Sequence, residues 1–387
     1  MSAPFPSGFQ PTREQVTSSY SIWRKGRIET LILLDRATRT SLRPSEFRLV
    51  NWMVQFAPEA RYNLTSSGLT EPDLSALGIN TSFDDFAAEK DEHARLFSEE
   101  VARLYRVEPV NVVLTAGASE AIFLAYSVLG TARKAVVPLP NYEPMFTVPH
   151  SLGMAVKNSL ANLSGIRGAV YGLTDPNNPT AQSLESSVVE RLHQACRKNG
   201  SSLYVNETYK EFTFPDKPAS LFQEYGDLVT CSTMTKFYGL GRLRVGWMLA
   251  DKQTAHRLRN AERLTSGHIP EYSLWLSRQV LKRRAGFVAR ARKIYNENLA
   301  LVAKFAKETE DVTRTRLGGA PFCLMKYGKG PESIAFSRKL LQRVGVLVSP
   351  GDFFGAPKAF RLCFTCDRTS LRRGLHLLAH YMLDVTG

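Results

Sequence analysis

The chain has 387 residues, 43% of them hydrophobic and 22% charged, which is enough for two or three packed layers of core and two domains. No stretch approaches the roughly 18 uninterrupted apolar residues of a membrane span. The opening MSAPFPSGFQPTREQ lacks a basic start followed by an apolar run, so an intracellular, cytoplasmic protein with no membrane partner is expected. A net charge of +14 leaves nucleic acid, acidic lipid and anionic small molecules open as partners and decides among none of them.

In chain order, the N-terminal stretch reads as an arm and then a helix, PSEFRLVNWMVQFA, which opens on a proline and a serine as helix starts do. YNLTSSGLTEPDLSAL follows as a turn-rich loop holding Gly68 and Pro72. From Phe83 to Tyr105, apolar residues at three and four spacing with interleaved acids and bases predict one long amphipathic helix. The rhythm then changes. VNVVLT is a short apolar strand, GASEAIFLAYSVLG a helix opening at a glycine, and KAVVPLP another strand; AVYGLTDP, SSLYVNETY and DLVTCSTMT repeat the pattern, with helices such as SSVVERLHQACRKNG between them. This alternation predicts an α/β fold, a mostly parallel sheet sandwiched by helices, which binds ligands at the carboxyl ends of its strands.

From about Tyr272 the chain offers a long basic helix, strand-like PFCLMKY, helix PESIAFSRKLLQRVG, strands VLVSP and FRLCFT, and a last helix, a smaller α+β unit. The densest basic stretch, Arg278 to Lys293, carries Leu281, Phe287, Val288 and Ala289 at helical spacing and reads as a solvated helix face. Cys196, Cys231, Cys323, Cys363 and Cys366 are an odd, scattered set, which argues for a reducing compartment. CFTC at Cys363 to Cys366 lies in the apolar alternation of a strand and has no second pair to complete a zinc site, so no metal is expected.

Chemistry-bearing residues gather where the strands stop. After VNVVLT, Gly117 allows a tight approach and the amides of Ala118 and Ser119 open a helix whose positive end suits a phosphate. PNYEPMF offers Tyr142 as a flat face, and TDPNNPT presents Asn178 in a turn stiffened by two prolines. Asn206 and Tyr209 follow SSLYV; Thr233, Thr235 and Lys236 follow DLVTC, with Arg244 a short way on. Together and in this order they suit one ligand carrying a phosphate, an aromatic ring with a hydroxyl, and an aldehyde for the lysine.

On these residues the chain resembles the aspartate aminotransferase superfamily, the type I fold of pyridoxal phosphate enzymes, along nearly its whole length. The resemblance implies that Lys236 forms the Schiff base with pyridoxal 5'-phosphate and that Arg244 pairs with the phosphate. It places Thr233 and Thr235 in the small hydroxyl positions before the lysine, Gly117, Ala118 and Ser119 at the phosphate, Tyr142 stacked on the ring, and Asn178 and Tyr209 on its hydroxyl. Arg361 matches the arginine that grips the substrate α-carboxylate, and Gly68 the loop glycine that closes over it. It also implies a homodimer, and a division into an N-terminal arm with part of the small domain (1–75), a large cofactor-binding domain (76–271) and a C-terminal small domain (272–387).

Three departures bear on the reaction. The family's strand after the NPT turn ends in an aspartate that pairs with the pyridine nitrogen; here Asn206 stands there. A carboxylate keeps that nitrogen protonated, whereas an amide gives a neutral hydrogen bond, about 0.5 to 1.5 kcal/mol net against about 1.5 to 3 for a charged one. Glu207, next along a continuing strand, faces the other way. Asn206 thus argues against ordinary fast transamination and leaves imine formation untouched. The usual glycine after the turn is Ala181, a mild change, and Phe83 or Phe86 cannot supply the hydrogen bond of the tyrosine that relatives carry ahead of the first phosphate loop.

TSSGL, GASEAIFLAY, KFYGLGRLRVGW and RLCFTCDRTSLRRGL are similar to segments of capreomycidine synthases, which use the imine for β-elimination and ring closure on an arginine derivative. The expected function is therefore an enzyme acting on the α-amino group of an amino acid, by amino transfer. The alternative is elimination at the β- or γ-carbon, replacement or cyclisation in a specialised biosynthetic pathway. An anionic cosubstrate would suit the basic surface. A ligand-sensing or DNA-associated module is the remote reading, because no helix pair for DNA precedes the SSG loop.

Overall fold

The computed structural model describes residues 44–90, 92–160, 166–309, 312–315 and 317–386; the arm expected over 1–43 lies outside them. Its strands are β1 (Tyr62–Asn63), β2 (Val112–Thr115), β3 (Lys134–Val136), β4 (Ala155–Lys157), β5 (Val170–Thr174), β6 (Ser202–Asn206) and β7 (Val229–Thr233). The chain continues with β8 (Gly246–Leu249), β9 (Val312–Arg314), β10 (Phe322–Tyr327), β11 (Val346–Leu347), β12 (Ser349–Pro350) and β13 (Ala359–Cys363).

Seven strands form the large sheet in the order β2-β8-β7-β6-β5-β3-β4. β7, β6, β5, β3 and β4 run parallel, and β8 runs antiparallel to both β7 and β2. The expected mostly parallel sheet is thus present. Its strand residues alternate between two apolar clusters. Val112, Val136, Tyr171, Leu203, Val205, Trp247 and Leu249 enter one, with Phe97 and Val101 of helix His93–Tyr105 and Leu192 of helix Ser186–Asn199. Val113, Ala135, Val170, Tyr204, Cys231 and Met248 enter the other, with Ile122 and Ala125 of helix Ala118–Leu129 and Leu258 of helix Lys252–Thr265. Burial on both faces explains why these strands read as unbroken apolar runs. Each fully buried large side chain contributes about 1.5–3 kcal/mol to holding helices on the sheet.

A second sheet, antiparallel, has the order β12-β13-β10-β9, and β1 pairs in parallel with β11. Its cluster joins Phe360 and Leu362 of β13 to Leu371 and Leu378 of the last helix, Arg368–Thr386. Cys363 is buried on β13 and Cys366 half-buried beyond it, both free thiols, as the strand reading of CFTC expects.

Two expected helices are broken. The stretch 83–105 is two helices, Phe83–Ala88 and His93–Tyr105. At the break Glu89 leaves helical geometry (φ −78°, ψ 114°), and its carboxylate accepts from Trp275 Nε1 and Arg278 Nη2, each at 2.9 Å. Those tertiary bonds outweigh the continuing periodicity. The long basic helix is likewise two, Glu271–Lys282 and Arg284–Glu308, hinged at Arg283. Near the N-terminus the helix spans Arg48–Phe56, starting after Ser45 rather than at it, and the Ser45 N–H donates to Ser151 Oγ at 2.9 Å.

Candidate active site

A pocket of about 660 Å³, its open mouth included, is lined by residues that follow β2, β3, β5, β6 and β7. Because β8 alone runs against its neighbours, the residues that precede it reach the same place, and Arg244 joins the lining two residues before Gly246.

At the mouth, Ala118 and Ser119 begin helix Ala118–Leu129, whose first-turn amides have no intrahelical acceptor. Gly117 before them has φ +82°, and a Cβ there would meet Arg244 Nη2 at 2.8 Å. Only glycine suits both the left-handed backbone and the approach of the guanidinium. Arg244 is exposed, itself left-handed (φ 52°), and donates to Ala116 O at 3.0 Å and to Gly241 O at 3.3 Å. Thr233 Oγ1 donates to Val245 O at 2.8 Å and lies 3.0 Å from Thr235 Oγ1, so both hydroxyls face this end.

Tyr142 lines the wall, half-buried, with Phe47 edge-on to its ring at 5.8 Å. Burial pushes its hydroxyl up to about 12, so the ring is neutral at ordinary pH. Asn178 and Asn206 both have committed side-chain oxygens: Asn178 Oδ1 accepts from Arg361 Nη1 at 2.9 Å, and Asn206 Oδ1 from the Thr208 N–H at 3.1 Å. Each therefore offers its NH2 to the pocket.

Lys236 is half-buried, its Nζ donating to Ser67 Oγ at 3.3 Å. The Tyr209 hydroxyl donates to the same Ser67 oxygen at 2.7 Å. Gly68 closes on the lysine: a Cβ there would lie 3.0 Å from Thr235 O and 3.2 Å from Lys236 Cδ. Burial first, then the charges of Arg361 and Arg244, lower the ammonium from 10.5 to about 8. A useful fraction of the amine is thus neutral near physiological pH.

Arg361 does not line the pocket wall but sits behind it on β13, 1% exposed. Nη2 donates to Thr65 O at 3.0 Å and Ser349 Oγ at 3.3 Å, and its guanidinium lies 4.8 Å over the Phe354 ring. Nε is buried with no partner, and among the described residues no carboxylate pairs with the group. A buried cation without an anion is costly, so the group is suited to an anionic ligand.

Sequence reasoning missed Ser67, Phe47, Val50, Thr174 and Thr208, of which all but Ser67 line the pocket. Ser67 stood in the TSSGL segment, and only its meeting with Lys236 and Tyr209 marks it. Glu207 faces away from the pocket as expected: Oε1 accepts from the Leu221 N–H at 2.8 Å, and burial pushes its carboxyl up to about 7 against the lowering charge of Lys210. Ala181 is a larger departure than a mild change, because its φ of 58° is a conformation that costs a non-glycine residue about 1–2 kcal/mol.

The sequence profile of the family described as aminotransferase class I and II matches residues 90–378. Histidinol-phosphate aminotransferase 2 of Carboxydothermus hydrogenoformans is 26% identical over 302 residues, 72% of this chain and 79% of that protein. Aspartate aminotransferase of Thermococcus kodakarensis is 22% identical over 294 residues, 73% and 77% of the two chains. Among solved structures, a PLP-dependent aminotransferase from Streptococcus suis superposes with a TM-score of 0.81 at 23% identity, covering 89% of this chain and 99% of that one. The PLP-dependent cyclase OrfR superposes with a TM-score of 0.76 at 24% identity, covering 89% and 100%.

The chain belongs to the class I and II aminotransferase family. It is a pyridoxal phosphate-dependent, aminotransferase-like enzyme of the type I fold. The pocket fits that cofactor on its own terms: an arginine, a helix start and hydroxyls at one end for an anion, an aromatic wall, two amide donors, and a lysine of lowered basicity.

Proposed function

We propose that Lys236 is the residue that captures the cofactor and moves the substrate proton, and that amino transfer from an amino acid is the principal reaction. The observation that carries this is the Lys236 amine, lowered to about 8 in a pocket that no Asp or Glu lines among the described residues. Arg244, Ser119, Thr235 and the amides of Ala118 and Ser119 would hold the phosphate; Tyr142 would cover the ring, and Asn178 and Tyr209 would hydrogen-bond its hydroxyl. Bound there, pyridoxal phosphate supplies an aldehyde for the substrate amine and a conjugated ring that draws electrons from the α-carbon.

Arg361 would take the α-carboxylate, its bonds to Asn178, Thr65 and Ser349 fixing the guanidinium plane. Gly68 leaves the room over Lys236 that the substrate needs. Once the substrate amine has displaced it from the cofactor, Lys236 Nζ would be free to act as base and acid at the α-carbon, with Ser67 Oγ, which also accepts from Tyr209, within reach to orient it. A homodimer in the cytoplasm accords with the family; a large domain over 76–271 accords with the seven-stranded sheet, and a small domain of 272–387 with part of 1–75 accords with the pairing of β1 with β11. Among the described residues no helix is long and apolar enough to cross a membrane.

A second reading, elimination or cyclisation in a biosynthetic pathway, is favoured by Asn206 and by the fold likeness to a PLP-dependent cyclase. The test is to add a panel of amino acids to the holoenzyme and follow the bound cofactor's absorption together with keto-acid release. Conversion to the amino form with stoichiometric keto acid supports amino transfer; a persistent aldehyde form alongside a cyclised or unsaturated product overturns it in favour of the second reading.

A further inference from the structure

Asn206 closes β6 on the lining of the pocket, 5% exposed. Its oxygen accepts from the Thr208 N–H at 3.1 Å. An N–H can be met only by an acceptor, so the amide cannot be turned over without leaving Thr208 unsatisfied. The NH2, a donor only, is what remains for the pocket, and it has no partner among the described residues.

Among the described residues, the acids nearest the site, Glu207, Asp175 and Glu143, are turned elsewhere. Glu207 serves Leu221 at 2.8 Å. Asp175 accepts from the Leu184 N–H at 2.9 Å and pairs with Lys210. Glu143 accepts from the Leu49 N–H at 2.8 Å and from Arg48 Nε at 2.9 Å. Among the described residues no Asp or Glu lines the pocket.

We propose that Asn206 meets the cofactor's ring nitrogen as a hydrogen-bond donor, keeps that nitrogen unprotonated, and so gives the site a β-elimination activity on amino acids that carry a leaving group on the β-carbon. The inference rests on the cofactor reading above. A nitrogen whose lone pair receives an N–H has no place for a proton, since two donors would then face each other, and no facing carboxylate balances the charge. A neutral ring is a poor store for the electron pair released at the α-carbon. A β-leaving group disposes of that pair instead. The Cα–H bond breaks and its proton goes to Lys236 Nζ; the pair forms the Cα–Cβ double bond; the bond to the leaving group breaks and its electrons depart with it. Lys236 gives the proton up to the departing nitrogen as its Nζ retakes the cofactor's aldehyde carbon, which frees the enamine; this tautomerises to the imine, and water hydrolyses it to a 2-oxo acid and ammonium, with no net oxidation.

The experiment uses holoenzyme carrying cofactor labelled with nitrogen-15 in the ring, read by NMR, and β-chloro-L-alanine as the substrate probe. The ring nitrogen is expected in the unprotonated pyridine range, moving to the pyridinium range in Asn206→Asp, which keeps the acceptor for Thr208. With this probe wild type is expected to release pyruvate, ammonium and chloride, and Asn206→Asp to shift the partition between elimination and amino transfer toward amino transfer by at least tenfold. A pyridinium signal in wild type, or a partition unmoved by the substitution, overturns the proposal; if Asn206→Asp does not fold, the wild-type spectrum decides alone. A chain that takes up no cofactor overturns the underlying reading instead, which separates the two failures.

Discussion

At the mouth of the pocket Arg244 is exposed and leans on the Ala116 carbonyl, Gly117 yields it room, and a helix start supplies amides; at the far side Asn206 and Arg361 are buried, and their orientations are fixed by bonds to Thr208, Asn178, Thr65 and Ser349. The first end can attract any anion of the right size, because charge and backbone dipoles do not read shape closely. The second has been made specific by committing all but one face of each polar group. On the proposed assignments, anchoring a cofactor and choosing its reaction fall to different residues, and substitutions at the two ends should separate them.

The largest effect is expected from Arg361→Lys. Losing the planar fork against a buried carboxylate costs about 3 kcal/mol, so KM for amino acids rises about 100-fold while the holoenzyme spectrum is unchanged. Steady-state kinetics with cofactor saturating checks this, and an unchanged KM would break the contrast. Arg244→Ala should do the reverse. Removing one charge-assisted bond weakens cofactor binding by about 1.5–3 kcal/mol, roughly 10- to 100-fold, with little change in substrate KM once cofactor is saturating. Titration of the apoenzyme measures it. The smallest effect belongs to neither end: Ala181→Gly relieves the left-handed backbone and should raise the free energy of unfolding by up to about 1 kcal/mol, read from the midpoint of urea denaturation.

What was legible in the sequence follows the same division. The mouth and the lysine come from short contiguous segments, AGASEA and STMTKFYGLGRLR, in which residue order itself reflects the geometry of a strand end. The strands could be read because burial on both faces leaves unbroken apolar runs. Ser67 could not, since it stands 169 residues from Lys236 and its hydroxyl is one of several in its loop. Phe47 and Val50 reach the pocket from the start of a helix that periodicity alone assigns to packing. The break at Glu89 was hidden because its cause, the bonds to Trp275 and Arg278, lies on a distant helix. The identity of Asn206 was plain, but which of its ends meets the pocket depends on the Thr208 N–H, a backbone contact that residue types do not disclose.

The central claim is that Lys236 takes the cofactor as a neutral amine. Holoenzyme formed over a range of pH, reduced with borohydride, digested and weighed by mass spectrometry should carry the cofactor on the peptide containing Lys236. The rate of capture should rise with pH through about 8 and then level, because the nucleophile is the unprotonated form of a group lowered from 10.5. An adduct on a different lysine, or none at any pH, would contradict it.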